Sequence, residues 1–339
     1  MIRLRQVKVS IYEEDKLLSK IESILKTKVE SYSIIKKSLD ARKKPELYYI
    51  YEVDVSVSDE KKVLKRFQKN EDIFLAPIEK YEMPSFGTTK LQYRPVIIGS
   101  GPAGLFTTYL LSEAGYRPIL FERGECVEKR KEKIEKFWQT GELDEQTNVQ
   151  FGEGGAGTFS DGKLNTMVKD KACRGKKVFE TFAECGAPVD ILYESHPHIG
   201  TDLLQNVIKN MREKIKQMGG EIQYSSCLTD IHVKDNKIEE IVINNKQAYS
   251  CDCLVLALGH SARDTFQMLF NRGLLIESKP FAVGLRIEHS QKMINESQYG
   301  QNYPAFLPPA SYKLTYQTKE KRGVYSFCMC PGGYVVNAS

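Results

Sequence analysis

No run of this chain is apolar for long enough to cross a bilayer, so a membrane-spanning helix is not expected. A secretory leader is missing as well: MIRLRQVKVSIYEEDK turns charged where a leader would stay apolar. Without one, the eight cysteines read as thiols of a reducing compartment, not as a disulfide framework, and the chain reads as cytoplasmic. Charge of one sign is not in large excess. A net charge of +5 and a pI of 8.6 favour phosphorylated small molecules but give little reason to expect nucleic acid. Internal repeats and low-complexity tracts are absent. What remains is an ordinary globular composition, 41% hydrophobic and 27% charged, over 339 residues. That length allows about two or three domains with cores of their own.

Residues 1–82 read as one unit. Alternation predicts a strand over 2–9, a helix over 15–25, and β-rich runs at 30–37 and 46–55. Ser58-Asp59-Glu60 starts a second helix to about Phe67, and an apolar run closes the unit at 73–78. The order βαββαβ is that of a ferredoxin-like α+β module, which by itself assigns no role.

A linker follows over 83–94, opening on Met83-Pro84-Ser85-Phe86-Gly87. From 95 to 265 the pattern is that of a Rossmann-type domain, with a loop and helical segment inserted at 125–200. Its first strand, 96–98, meets a helix to about Ala114, and a second strand, 118–121, ends on Glu122. Thr201 is placed to cap a helix through Met218, whose Leu203, Leu204, Val207, Ile208, Met211 and Ile215 form one stripe. A third strand is expected at 221–225. Strands at 228–233 and 238–243, turning at Asp235-Asn236 and Asn244-Asn245, make a meander, and 253–258 is a buried parallel-type strand. Residues 266–339 read as a partial β-rich substrate or cap region. The fold class expected is therefore α/β, a Rossmann-type FAD/NAD(P)-binding fold behind a ferredoxin-like module.

The turn Gly99-Ser100-Gly101-Pro102-Ala103-Gly104 lies between strand and helix, with an acid ending the next strand. Gly99 suits the tight turn, Gly101 the close approach of a pyrophosphate, and Gly104 the packing of helix on strand. The helix N-terminus offers N–H groups and partial positive charge to the phosphates. Glu122, followed by Arg123, lies where a carboxylate can accept from ribose hydroxyls and repel a 2′-phosphate, which selects FAD or NAD over NADP. FAD is favoured by the run Phe151 to Lys163, with five glycines. Backbone at Gly154, Gly155, Ala156 and Gly157 can approach a large flat ligand, and Lys163 can offset charge at a reduced flavin. Leu228, opening the meander, and Ala257, Leu258 and Gly259, ending the last strand, complete the candidate cofactor set.

On these residues the chain resembles a family of FAD-dependent proteins described as NAD(FAD)-utilising dehydrogenases, within the glutathione-reductase-like flavoproteins. FGEGGAGTFSDGKLNT, SHPHIGTD (195–202), ALGHSARDTF (257–266), FAVGLRIEH (281–289), FCMCPGG (327–333) and DARKKPELYYIYEVDV carry the resemblance. It implies bound FAD, with Gly99, Gly101, Gly104 and Glu122 on the ADP half. Such flavoproteins return near their end to the FAD domain with a Gly-Asp pair for the ribityl chain. No such pair follows Gly333, so the chain reads as lacking that last strand and helix.

Candidates for chemistry are fewer. Alternation over 325–330 predicts a strand with Cys328 and Cys330 on one face, turning at Pro331-Gly332-Gly333. At about 6.6 Å between Cα atoms such a pair is at the edge of disulfide geometry. Either thiol could face flavin or substrate, or be a small buried side chain like Cys251 and Cys253. His198, with His196 across Pro197, could orient or protonate a substrate, while no third ligand nearby suggests a metal. His260, Arg286 and His289 are further polar candidates. The leading expectation is an FAD-dependent oxidoreductase acting on a small molecule by hydride transfer through flavin N5. With no second glycine fingerprint, NAD(P)H would visit only as a transient donor. The alternatives are an FAD-containing RNA-binding or RNA-modifying protein using the N-terminal module, which lacks an aromatic stacking motif, and an NAD-only dehydrogenase.

Overall fold

A computed structural model describes residues 1–159, 162, 164, 170–326, 329–335 and 337–338. The N-terminal unit comprises β1 (Ile2–Ser10), a 3-10 turn at Glu14–Lys16 leading into α1 (Leu17–Leu25), β2 (Ser31–Lys43), β3 (Glu46–Ser56), α2 (Glu60–Arg66) and β4 (Ile73–Leu75). The strands pair antiparallel in the order β2-β3-β1-β4, the ferredoxin-like arrangement. Ile2 and Leu4 are out of phase with Val7 and Val9, yet all four are buried. A bulge between Leu4 and Val7, with Gln6 at φ 55°, adds one residue to β1 and returns the second pair to the inner face. Asp59 caps α2, its side chain accepting from the Lys62 N–H at 2.9 Å.

The second unit is built on β5 (Val96–Ile98), α3 (Pro102–Glu113), β6 (Ile119–Phe121), α4 (Val127–Thr140), α5 (Arg174–Glu184), α6 (Thr201–Gln217) and β7 (Glu221–Gln223). A meander follows, β8 (Leu228–Lys234), β9 (Lys237–Ile243) and β10 (Gln247–Ser250), then β11 (Leu254–Leu256) and α7 (Arg263–Asn271). The strands β11-β5-β6-β7 form one parallel sheet, the meander a separate antiparallel one. This is the Rossmann-type core the glycine turn implied. α6 begins one residue earlier than a Thr201 cap would have it: Gly200 is the N-cap, with no side-chain capping bond. Backbone bonds from Ile199 N to Gly162 O and from Leu164 N to Pro197 O hold the preceding stretch extended, which puts Thr201 inside the first turn. Leu203, 47% exposed, falls outside the buried stripe that runs from Leu204 to Ile215.

Beyond α7 come α8 (Gln291–Tyr299) and a hairpin of β12 (Thr315–Gln317) and β13 (Gly323–Tyr325). The strand expected over 325–330 ends at Tyr325. β12 offers a ladder of only three residues, and the Gly333 N–H closes a turn onto the Cys330 carbonyl at 3.2 Å. Cys328 lies outside the described residues. The region after α8 packs on the N-terminal unit: Tyr299, Leu307 and Ala310 share one buried cluster with Ile11, Leu47 and Tyr49. Tyr12 meets Phe306 edge-on, and Lys44 donates to the Ser297 carbonyl. The apolar face that α1 and α2 leave open at the β2–β3 end is thus covered from almost the other end of the chain.

Because that cluster spans both regions, Leu307→Ala is expected to lower stability by about 2–5 kcal/mol. Proteolysis should then become faster within 1–56 as well as around 291–310; cleavage confined to the latter would show that the two do not share a core.

Candidate functional site

The end of β5 sets the site. Gly99 has φ +98°, and a Cβ there would stand 2.5 Å from the Ala257 carbonyl oxygen, so β11 presses directly on the turn. A Cβ on Gly104 would overlap the Gly99 carbonyl, which locks α3 against β5. Gly101 differs: it caps α3 in extended geometry, and a Cβ added there meets nothing within 4 Å. Pro102 takes the first helical position, where its missing N–H costs no bond. The turn and the N-terminus of α3 therefore open onto a cavity of about 460 Å³.

Glu122 is buried at the end of β6. One carboxylate oxygen accepts from the Ser100 N–H at 2.7 Å and the Ser100 hydroxyl at 2.8 Å. The other accepts from the N–H groups of Gly124 at 2.9 Å and Gly152 at 3.0 Å. These donors fill the roughly four acceptor positions of a carboxylate. Only the Ser100 hydroxyl can turn away without breaking a backbone bond.

The glycine-rich loop lies across the turn, with Gly154 N–H bonded to the Ser100 carbonyl at 2.9 Å and Gly155 against Pro102. Beside it the Arg123 guanidinium stacks on Phe151 at 4.4 Å and donates to Asp264 at 2.8 Å and Thr265 at 2.9 Å. That ties the first turn of α7 to the end of β6. The cavity walls come from five chain segments: the turn, Glu122–Arg123, the loop at 150–156, the meander entry at 226–228, and 256–269.

Of the residues singled out from sequence, Gly99, Gly101, Pro102, Ala103, Glu122, Arg123, Gly155, Ala156, Leu228, Ala257, Leu258 and Gly259 line this cavity. Ser100, Gly104 and Gly154 lie behind its wall and shape it; Gly157 is exposed and off it. Lys163 is outside the described residues. Cys330 and His198 are not on the wall, and His198 is exposed. His260 is on it, beside Ser261. Sequence reasoning missed Gln150, Phe151, Gly152, Ser226, Cys227, Ser261, Ala262, Thr265, Phe266 and Leu269. Phe151 and Gly152 belonged to the glycine-rich run and Ser261 to Phe266 to the ALGHSARDTF segment, so both were there to be found, whereas Leu269 reaches the wall through tertiary packing and carries no local mark. Burial pushes the Cys227 thiol up and Cys251 to about 11, so neither is a ready thiolate. Among the described residues no cluster of His, Cys, Asp or Glu is arranged to hold a metal ion, and no helix is long and apolar enough to cross a membrane.

Behind the loop a buried polar network joins α4 to α6. Glu153 accepts from the Val127 N–H at 2.8 Å, from Arg212 at 2.8 Å and from the Tyr224 hydroxyl. Arg212 also grips Glu128 through two nitrogens, at 2.6 and 3.0 Å. Burial raises the Glu153 carboxyl against the pull of these partners, while hydrogen bonding to Arg212 lowers Glu128 to about 2.

Three family models match parts of the chain. Residues 280–339 match the model described as FAD-dependent protein, C-terminal domain-like; 97–127 match an NAD(P)-binding Rossmann-like domain; 1–56 match a domain of unknown function. An uncharacterised protein of Clostridium beijerinckii is 47% identical over 344 residues, covering 100% of this chain and 64% of its own length. The chain thus spans less than two thirds of that relative. Solved structures that match part of the chain include Thermovibrio ammonificans THI4, at 17% identity and a TM-score of 0.36 over 53% of this chain and 62% of that one. The L-amino acid deaminase of Proteus myxofaciens is 14% identical, with a TM-score of 0.30 over 58% and 52% of the two chains. Likeness this distant says nothing of substrate.

Glu128 gives the network a pH signature. Its folded value lies below the free value of 4.5, so its contribution to stability is complete above about pH 4.5 and is lost as pH falls toward 2. Glu153 has the opposite sign: its ionisation costs stability as pH rises from its free value toward its folded one. Glu128→Gln should therefore flatten the fall in melting temperature on the acid side of pH 4.5, and an unchanged acid limb would place the dependence elsewhere.

Proposed function

We propose that this chain is a flavin-dependent oxidoreductase acting on a small-molecule substrate, a reading supported by its Rossmann-type cavity and by the partial matches to an FAD-dependent C-terminal domain and a Rossmann-like domain. The observation that carries the reading is the cradle at Gly101, the one fingerprint glycine whose missing side chain leaves open space. A pyrophosphate suits that space. It would meet the free N–H groups and partial positive charge of the α3 N-terminus. The cavity volume of about 460 Å³ is in the range of cofactor sites. The ribose would approach Glu122 by displacing the Ser100 hydroxyl, taking over its bond. Phe266, Leu269 and Leu228 add apolar lining to the cavity.

A 2′-phosphate would find no cation ready there, since Arg123 is held by Asp264 and Thr265, and the buried Glu122 would repel it. The tight site thus favours FAD or NAD over NADP; the glycine-rich loop and the match to an FAD-dependent C-terminal domain support FAD, with NAD(P)H as a transient electron donor. When bound, the flavin supplies reversible hydride acceptance at its N5. The protein's own part is to fix the dinucleotide through the turn, the loop and α7, and to shield it from water. The inner face of the N-terminal module is covered by α1, α2 and the Tyr299–Ala310 region, and no observation favours an RNA-modifying role.

Reconstitution with FAD followed by gel filtration tests the reading: the chain should retain the visible flavin bands. Retention of NAD with rejection of flavin would overturn it. Gly101→Ala should weaken FAD binding at least about tenfold, with little change in melting temperature, because a Cβ there meets no protein atom within 4 Å and stands in ligand space. Gly104→Ala should lose FAD together with stability. In Ser100→Ala the apoprotein should lose about 1 kcal/mol with the buried hydrogen bond, while FAD affinity holds or rises; a large loss of affinity would show that the ribose does not take that place.

A further inference from the structure

Arg130 lies on α4, away from the cavity, and is 0% exposed. Among the described residues no carboxylate accepts a hydrogen bond from it. Its guanidinium instead gathers four backbone carbonyls: Asn148 at 2.9 Å, Val149 at 2.9 Å, Glu153 at 2.6 Å and Gly155 at 2.9 Å. The ring of Phe159 covers the cation at 4.7 Å. Taking a cation this far from water costs several kcal/mol unless its donors are filled. Burial pushes Arg130 down to about 10, so it still carries its charge at neutral pH.

The four acceptors come from both arms of the glycine-rich loop. A planar fork that draws the carbonyls of 148–149 and 153–155 to one point fixes how the chain crosses between them. With those carbonyls turned toward α4, the Gly152 N–H points at Glu122 and the Gly154 N–H at the Ser100 carbonyl. Gly152 must be glycine for two reasons: its φ is +118°, and a Cβ would stand 2.5 Å from the Arg130 Cδ.

We propose that Arg130 is a positioning residue that holds the loop from Asn148 to Gly155 in its ligand-receiving shape before any cofactor arrives. The proposal rests on the flavin reading only for the identity of the ligand. A loop of four glycines at 152–157 would otherwise sample many conformations and lose that freedom on binding. Strung between a buried cation and the buried Glu122, it enters the encounter already ordered. Lysine cannot substitute, because its three donors diverge from a point and cannot reach both arms in one plane.

Hydrogen exchange on the apoprotein tests this without any turnover. The Gly152 and Gly154 amides of the wild-type chain should be protected equally with and without FAD. In Arg130→Ala that protection should be lost while the β1–β4 amides keep theirs, and FAD affinity should fall at least about tenfold. Added guanidinium ion should restore both, sodium chloride at equal ionic strength neither, and Arg130→Lys should behave like Arg130→Ala. Wild-type amides that become protected only when FAD binds would overturn the proposal, a result that needs no variant. So would an Arg130→Ala chain that keeps loop protection, or one that loses protection throughout and gains nothing from guanidinium. Should the chain bind no flavin, the function proposed above fails, while the exchange comparison still decides the role of Arg130.

Discussion

One buried carboxylate organises the dinucleotide half of this protein. Glu122 receives donors from the fingerprint turn, from the end of its own strand and from the glycine-rich loop, and so ties all three together. An unpaired carboxylate in that position would be too costly to bury, and three loops with unanswered N–H groups would be too costly to pack. Each solves the other's problem. The positions of Ser100, Gly152 and the α3 N-terminus around the cavity follow from this mutual satisfaction. So does the need for an opposite charge behind the loop, which Arg130 supplies.

The alternation of the first unit and the glycine turn of the second were legible because each rests on a local rule: period-two burial, a capping aspartate, a turn only glycine can make. The β1 bulge was harder to see, since a phase slip of one residue still looks like a strand. The site was legible where the chain itself supplies the geometry, at Gly99, Gly101, Gly104 and Glu122. It was illegible where packing supplies it. Leu269 reaches the cavity through the packing of α7, which Arg123 ties at its first turn by a contact 141 residues apart in sequence and which the buried cluster with β5, β6 and the meander holds from the other side. The strand expected over 325–330 is seen only to Tyr325, with Ser326 outside it and 327–328 outside the described residues: alternation marks what a segment could do, and a partner strand decides whether it does.

The N-terminal module was the part whose role sequence left open, and its packing narrows the question. Its edge strand β2 forms a parallel bridge from Lys37 to Glu194, just ahead of His196 and His198. Its far end supplies the floor on which Tyr299, Leu307 and Ala310 rest. It touches the Rossmann unit through the first contact and the C-terminal region through the second, and so sets where each stands.

That floor also imposes an order on synthesis. Ile11, Leu47 and Tyr49 leave the ribosome early, and the residues that cover them follow some 250 positions later. At roughly 5–20 residues per second, the nascent module carries an uncovered apolar patch for about 12–50 seconds. Throughout that interval, the unit that is nominally complete is also the one with apolar surface open to water.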